Sequence, residues 1–274
     1  MSNTSILSFS GWKKKTLQAV MIIIALCWLI PVVSAVYRSF RFMGFQNYVY
    51  VLTTRINGIY FVQALLNSFI IAAVAVSLTV SVSSLAGFCF SKIDFRLNRL
   101  FYLLTLCLLA IPGVTILIPL FFTIKNLNLM NTHLAVALPE VALTLPFGVL
   151  LMRNSFDAID NAYLEAATID GANYFQAFIK IYFPMNIGTT INLAILQFIW
   201  SFQDFLLPNY FISKKAIMTT TQLISSFNRA MTVTPKDLGA FSASLVLLAM
   251  PILVVYLIFS RYIKSGLTSG GLKG

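Results

Sequence analysis

The residues able to do chemistry are few, and most of them fall in one place. Asp157, Asp160, Glu165 and Asp170 follow one another closely, and four carboxylates in such a short interval superficially suggest acid/base work. Solvated charge or contact with a partner is the better account. Leu164 to Pro184 (LEAATIDGANYFQAFIKIYFP) sets its acids and Lys180 among Ala, Ile and Phe, at spacings that fit two short helices broken at Asp170-Gly171. The stretch reads as a docking element. His133 is the only histidine, which excludes a histidine-based metal cluster, and as a loop residue it is expected to be solvated. Cys27, Cys89 and Cys107 each stand alone in an apolar run, so neither a metal site nor a disulfide framework is indicated. There is no GxxxxGK[ST] loop to cradle phosphates, so any ATP hydrolysis belongs to a partner. No catalytic residue, metal or cofactor is expected in this chain.

The elements that must hold the docking stretch are apolar. Of 274 residues 59% are hydrophobic and 10% charged, and the mean hydropathy is +0.87. That excess of apolar surface is too large for a water-soluble domain to hide, so the chain is expected to be a membrane protein. A net charge of +11 would suggest nucleic acid in a soluble protein. Here the basic residues fall in short gaps between apolar runs, where they act as topology signals, and a nucleic-acid partner is set aside.

Six spans of all-α architecture are expected, at about 16–37, 65–90, 100–124, 134–152, 186–212 and 238–260. A polar leader (1–15) with Lys13, Lys14 and Lys15 precedes the first. A cleaved signal peptide is the competing reading; the run is too long, and LCWLIPVVSAV (26–36) keeps large residues where a cleavage site belongs. Arg38 to Tyr60 is a mixed aromatic and polar connector. Ala72, Ala75, Ser83, Ala86 and Gly87 give the second span a surface for close packing in lipid. Pro112 and Pro119 are expected to kink the third span. Glu140 is the only charge of the fourth span, and either lines a pathway or sits in the outer headgroup region. Gln197, Gln203 and Asp204 are the polar exceptions of the fifth. Ser213 to Lys236 is a polar segment, and the last span starts at Asp237, a plausible helix N-cap, leaving a tail at 264–274.

Six spans put both termini on one side, together with the 154–184 loop between the fourth and fifth. Eleven basic residues (Lys13, Lys14, Lys15, Lys92, Arg96, Arg99, Arg153, Lys180, Arg261, Lys264, Lys273) fall on that side and eight on the other, which favours a cytoplasmic placement.

Glu165-Ala166-Ala167, Asp170-Gly171-Ala172, then Phe178, Ile181 and Pro184 resemble the EAA motif of ABC importer permeases, on a loop about a hundred residues before the end of the chain. The likeness extends over most of the sequence and points to the carbohydrate-uptake, maltose-type branch. Leu66-Asn67-Ser68, Ile118-Pro119-Leu120, Asn131-Thr132, Pro146-Phe147, the 200–208 stretch WSFQDFLLP and the ending GLTSGGLKG (266–273 and Gly274) also correspond.

The resemblance implies a six-span permease subunit in a bacterial cytoplasmic membrane, with two cytoplasmic ABC ATPase subunits, a second homologous permease subunit and an extracytoplasmic solute-binding protein as partners. The solute would be a sugar or related polyol; glycerol phosphate is an alternative. Glu165, Ala166, Ala167, Asp170, Gly171, Ala172, Phe178 and Pro184 would then form the ATPase-coupling helix, with Gly171 in a left-handed turn. Tyr174, Phe175 and Phe178 would anchor its far side. Asn67, Glu140, Gln197, Gln203 and Asp204 are the pathway candidates. Two departures stand out: Phe202-Gln203-Asp204-Phe205 replaces the family's Trp-Asn-Asp-Phe, and Glu140 stands where an uncharged residue is usual. An ion-gradient-driven transporter is the alternative from another class, with Glu140 and Asp204 as its only candidate ion ligands.

Overall fold

The computed structural model describes residues 11–229 and 235–269. In chain order these form α1 (Gly11–Ser39), α2 (Gln46–Thr53), a hairpin of β1 (Arg55–Ile56) and β2 (Ile59–Tyr60), α3 (Phe61–Lys92), α4 (Asn98–Cys107), α5 (Leu117–Asn126) and α6 (Leu134–Asp157). There follow α7 (Ala162–Ile169), α8 (Tyr174–Ala177), a π-turn at Phe178–Tyr182, α9 (Phe183–Met185), α10 (Ile187–Gln203), α11 (Leu206–Phe211), α12 (Thr220–Arg229) and α13 (Pro235–Ser269). The hairpin pairs Arg55 with Tyr60 and Ile56 with Ile59, and turns on Asn57 and Gly58, both at positive φ (51° and 91°). It is the one departure from all-α structure among the described residues.

Helices α3 and α6 form the central pair, α10 packs on α3, α6 and α13, and α1 lies on α13. The α3 face that turns inward is small: Ala64, Ser68, Ala72, Ala75, Thr79, Ser83 and Gly87 are all buried. With lipid as apolar as any side chain, close backbone approach is what binds such helices. At Gly87 an added Cβ would lie 2.7 Å from Met152 Cβ and 2.8 Å from the Arg153 amide nitrogen. Gly148 of α6 leaves no room for a Cβ against Ser83 of α3. These two glycines set the crossing.

Four single helices among the described residues are long and apolar enough to span a membrane, and two expected spans are interrupted. The third does not kink; it breaks. Residues 98–110 and 113–126 meet at 96°. Ile111, forced out of helical geometry by the following Pro112, is extended (φ −86°, ψ 117°), and so is Pro112 itself (ψ 126°). Pro119 causes no kink, because it lies in the first turn of α5, where a missing N–H costs nothing. The fifth expected span stops at Gln203, and Asp204 is extended (ψ 127°). Its Oδ1 accepts the amides of Leu206 (2.8 Å) and Leu207 (3.4 Å) and so starts α11. The fourth helix, by contrast, runs past the expected 152 to Asp157.

At the end of the bundle opposite the 154–184 loop, side-chain amides hold the irregular chain. Asn67 donates to the carbonyls of Ala216 (3.1 Å) and Met218 (3.0 Å). Asn131, at φ 61°, accepts from the Ser213 and Lys214 amides (2.7 and 2.8 Å). His133 is not solvated as expected: its Nε2 lies 3.1 Å from Asn67 Oδ1, and burial pushes its pKa below the ordinary histidine value. The polar segment at 213–236 contains α12, opened by a reciprocal cap in which Thr219 N–H donates to Gln222 Oε1 (3.1 Å) and Gln222 N–H to Thr219 Oγ1 (3.4 Å). Helix α13 begins at Pro235, so Asp237 lies in its first turn rather than at the N-cap. The leader's first ten residues and the tail beyond Ser269 lie outside the described residues.

Candidate functional site

Two constellations gather the residues singled out above, at different depths. The first is the 154–184 loop. Asp160 Oδ1 accepts the Ala162 amide (3.0 Å) where α7 begins. The helix ends in a Schellman turn: Ala172 N–H donates to Ala167 O (2.9 Å) and Gly171 N–H to Thr168 O (3.0 Å), with Gly171 at φ +81°. Asn173 and Gln176 then cap α8 reciprocally, at 2.9 and 3.0 Å. Two short helices therefore meet at a left-handed glycine.

The loop has a buried root and an exposed crest. Ala167, Ala177, Phe178 and Tyr182 are buried, and Phe178 and Tyr182 pack on Phe88 of α3 and Phe156 of α6 with ring centroids 5.2–6.3 Å apart. Lys92 pins the loop by donating to Ile159 O (2.6 Å) and Asn161 Oδ1 (2.7 Å). On the crest Glu165, Ala166, Asp170 and Gly171 are exposed, with Ile169 at 86%, Phe175 at 61% and Tyr174 at 52%. Phe178 therefore faces the bundle, while Tyr174 and Phe175 face outward. Ala172 is half-buried and Pro184 exposed in the first turn of α9.

The second constellation is a cavity of about 520 Å³ beside the break at Asp204. It brings together Glu140 of α6, Gln197 and Gln203 of α10, and Asp204. Ser201 and Trp200 join them; the sequence offered these two only as the start of the 200–208 stretch and not as pathway candidates, because a serine and a tryptophan in an apolar helix carry no polar signal of their own. Asn67 is not there; it belongs to the clasp at residues 216–218. Glu140 is 5% exposed and Gln197 fully buried. Neither polar atom of the Gln197 amide has a hydrogen-bond partner within the chain, and the Glu140 carboxyl meets only Ser201 and Asp204.

A helical bundle with an exposed crest on its 154–184 loop and a cavity lined by Glu140, Gln197 and Asp204 fits a transport subunit, and comparison with known proteins decides which. The family described as the binding-protein-dependent transport system inner membrane component matches residues 79–269. The chain belongs to this family. It is thus a multi-pass inner-membrane permease subunit, not itself an enzyme. The trehalose/maltose transport system permease protein MalG of Thermococcus litoralis is 33% identical over 229 residues, 84% of this permease and 81% of that protein. The arabinooligosaccharides transport system permease protein AraQ of Halalkalibacterium halodurans is 32% identical over 231 residues, 84% and 79% of the two chains. Among solved structures, a chain of a bacterial ABC transporter involved in the import of the acidic polysaccharide alginate shares the permease's fold. Its TM-score is 0.78 at 20% identity, over 94% of this chain and 99% of that one.

Proposed function

We infer that this permease subunit, paired with a second homologous one, forms the membrane pathway for a sugar or oligosaccharide. Two cytoplasmic ABC ATPases drive alternating access, and an extracytoplasmic solute-binding protein delivers the solute. The single observation that carries the reading is the 162–177 helix–turn–helix, rooted in the bundle and bare on its crest. An exposed apolar surface of Ile169, Tyr174 and Phe175, flanked by Glu165 and Asp170, is a surface for a partner rather than for water. The sugar class is supported by relatives named for trehalose/maltose and arabinooligosaccharides, and by a neighbouring fold from an alginate transporter in complex with a periplasmic protein that holds an alginate pentasaccharide.

In this reading the crest of α7 and α8 enters a groove of the ATPase, with Glu165 opposite a basic group there, and closure of the ATPases displaces the root. The loop, both termini and the basic residues Lys92 and Arg153 then face the cytoplasm. The test is a pair of substitutions at Gly171, where an added Cβ meets nothing within 4 Å in this chain. Asparagine tolerates the left-handed conformation and preserves coupling. Proline, locked near φ −65°, cannot adopt +81° and is expected to lower ATP-dependent saccharide uptake by on the order of tenfold or more while the chain still inserts. Normal uptake by Gly171→Pro, or failure of the wild-type chain to co-purify with an ATPase, would sink the proposal.

A further inference from the structure

The cavity at the α10–α11 break gathers buried polar side chains from α6, α10 and the break itself on one wall. The Gln197 amide has no hydrogen-bond partner at either polar atom, and beside it Glu140, Ser201 Oγ and Asp204 Oδ2 meet only one another, which makes six buried polar side-chain atoms on the wall with no partner from outside the group. Gln197 is fully buried and Glu140 is 5% exposed. Buried polar atoms left unpaired cost free energy, and apolar side chains of the same size would pack here without that cost. Asp204 serves both fold and wall: its Oδ1 starts α11, and the same carboxyl meets Glu140 at the cavity.

The chemistry of the wall specifies what it would hold. Five of the six atoms are oxygens, four of which belong to groups that can only accept or mainly accept, so the complement is rich in donors. Two carboxyl groups in contact share a proton and keep one negative charge between them, which repels any carboxylate, sulfate or phosphate brought beside them. Trp200 and Phe205 line the same space and offer flat apolar faces. Acceptors, one amide and aromatic faces together suit a ring that bears hydroxyls on its edge and C–H groups on its faces.

We propose that this cavity is a solute subsite belonging to this subunit, and that it favours a neutral, hydroxyl-rich ring over a ring bearing an anionic group. The inference rests on the carbohydrate reading given above and adds to it where the solute is touched and which charge is refused.

Two measurements on the assembled importer test it. In a chain with Cys27, Cys89 and Cys107 replaced by alanine, Ser201→Cys is exposed to a trimethylammonium-ethyl and to a sulfonatoethyl methanethiosulfonate, with rates divided by those for free cysteine. The corrected cation-to-anion ratio is expected to be about ten, falling to about one when Glu140→Gln is added. Absence of reaction with either reagent, as a closed cavity or one filled by a partner side chain would give, overturns the proposal, and so does a ratio indifferent to Glu140→Gln. The second measurement is uptake of a radiolabelled panel of neutral di- and oligosaccharides into proteoliposomes, compared at equal recovery of complex. Gln197→Leu is expected to raise the KM of the transported saccharide about tenfold. An unchanged KM overturns the subsite alone; a wild-type importer that takes up no neutral saccharide overturns the carbohydrate reading and the subsite with it.

Discussion

At the scale of single residues, the polar amides and acids that stood out in the sequence divide between holding irregular chain and facing the cavity. The clasp is the first kind. Asn67 serves the carbonyls of residues 216 and 218 and meets His133, so Asn67→Leu takes the donor from the part-buried Met218 carbonyl, while Ala216 O keeps Gln63 Nε2 (3.0 Å). The expected loss is about 1–3 kcal/mol, read as a lower unfolding temperature of the purified protein. His133 adds a pH dependence of known sign. Its folded pKa is depressed by burial, so its contribution is full above the unfolded value of about 6.5 and is lost as pH falls through the lower folded value. His133→Gln is expected to flatten the dependence of unfolding temperature on pH in the window between that folded value and about 6.5. The solvated role expected from its place in a loop failed because its partner lies on another helix, out of sight of local sequence. Gly171 was legible for the opposite reason: an Ala-rich run ending in Asp-Gly announces its own cap, and the left-handed φ is there.

At the scale of elements, composition made the long helices plain, and breaks were what it hid. Pro112 and Asp204 each interrupt an apolar run that hydropathy reads as continuous. Whether such a residue kinks a helix or ends it depends on whether its neighbours can satisfy the freed backbone, which only the tertiary structure shows. Helix α12 was missed although Thr219-x-x-Gln222 spells its cap, because the segment's polarity masked the signal. The α3–α6 crossing yields a prediction at this scale. Gly87→Val places a branched side chain where even a Cβ would stand 2.7 Å from Met152. It should cost roughly 1–3 kcal/mol through overpacking and reduce the yield of folded protein, whereas Ala86→Val, one position away, should be tolerated.

At the scale of the whole molecule, the chain is legible as a part rather than a whole. Every residue of α1 from Lys15 to Val33 is exposed within the chain, so lipid or another subunit covers it. The convergence of Glu140 with Gln197 and Asp204, some sixty residues on, could not be read from spacing; each was visible only as a polar exception in its own span. Orientation is open to direct measurement. In the proposed topology a membrane-impermeant thiol reagent should label Asn57→Cys from outside intact cells, in a background freed of the native cysteines. Ile169→Cys, on the crest, should be labelled only in inverted vesicles and be shielded when the ATPase is bound. Labelling of Ile169→Cys from outside would reverse the topology and remove the basis for coupling.

The aromatic root of the loop determines how a push at its crest is shared. Phe88 belongs to α3, Phe156 to α6, and Phe178 and Tyr182 to the π-turn, and their rings meet in one cluster. A load applied at Ile169 is therefore not borne by one helix. It seats in a socket whose two walls are the central pair, and those walls are locked together at Gly87. Under the proposed coupling, such a joint favours swivelling the pair as one body over prying it apart.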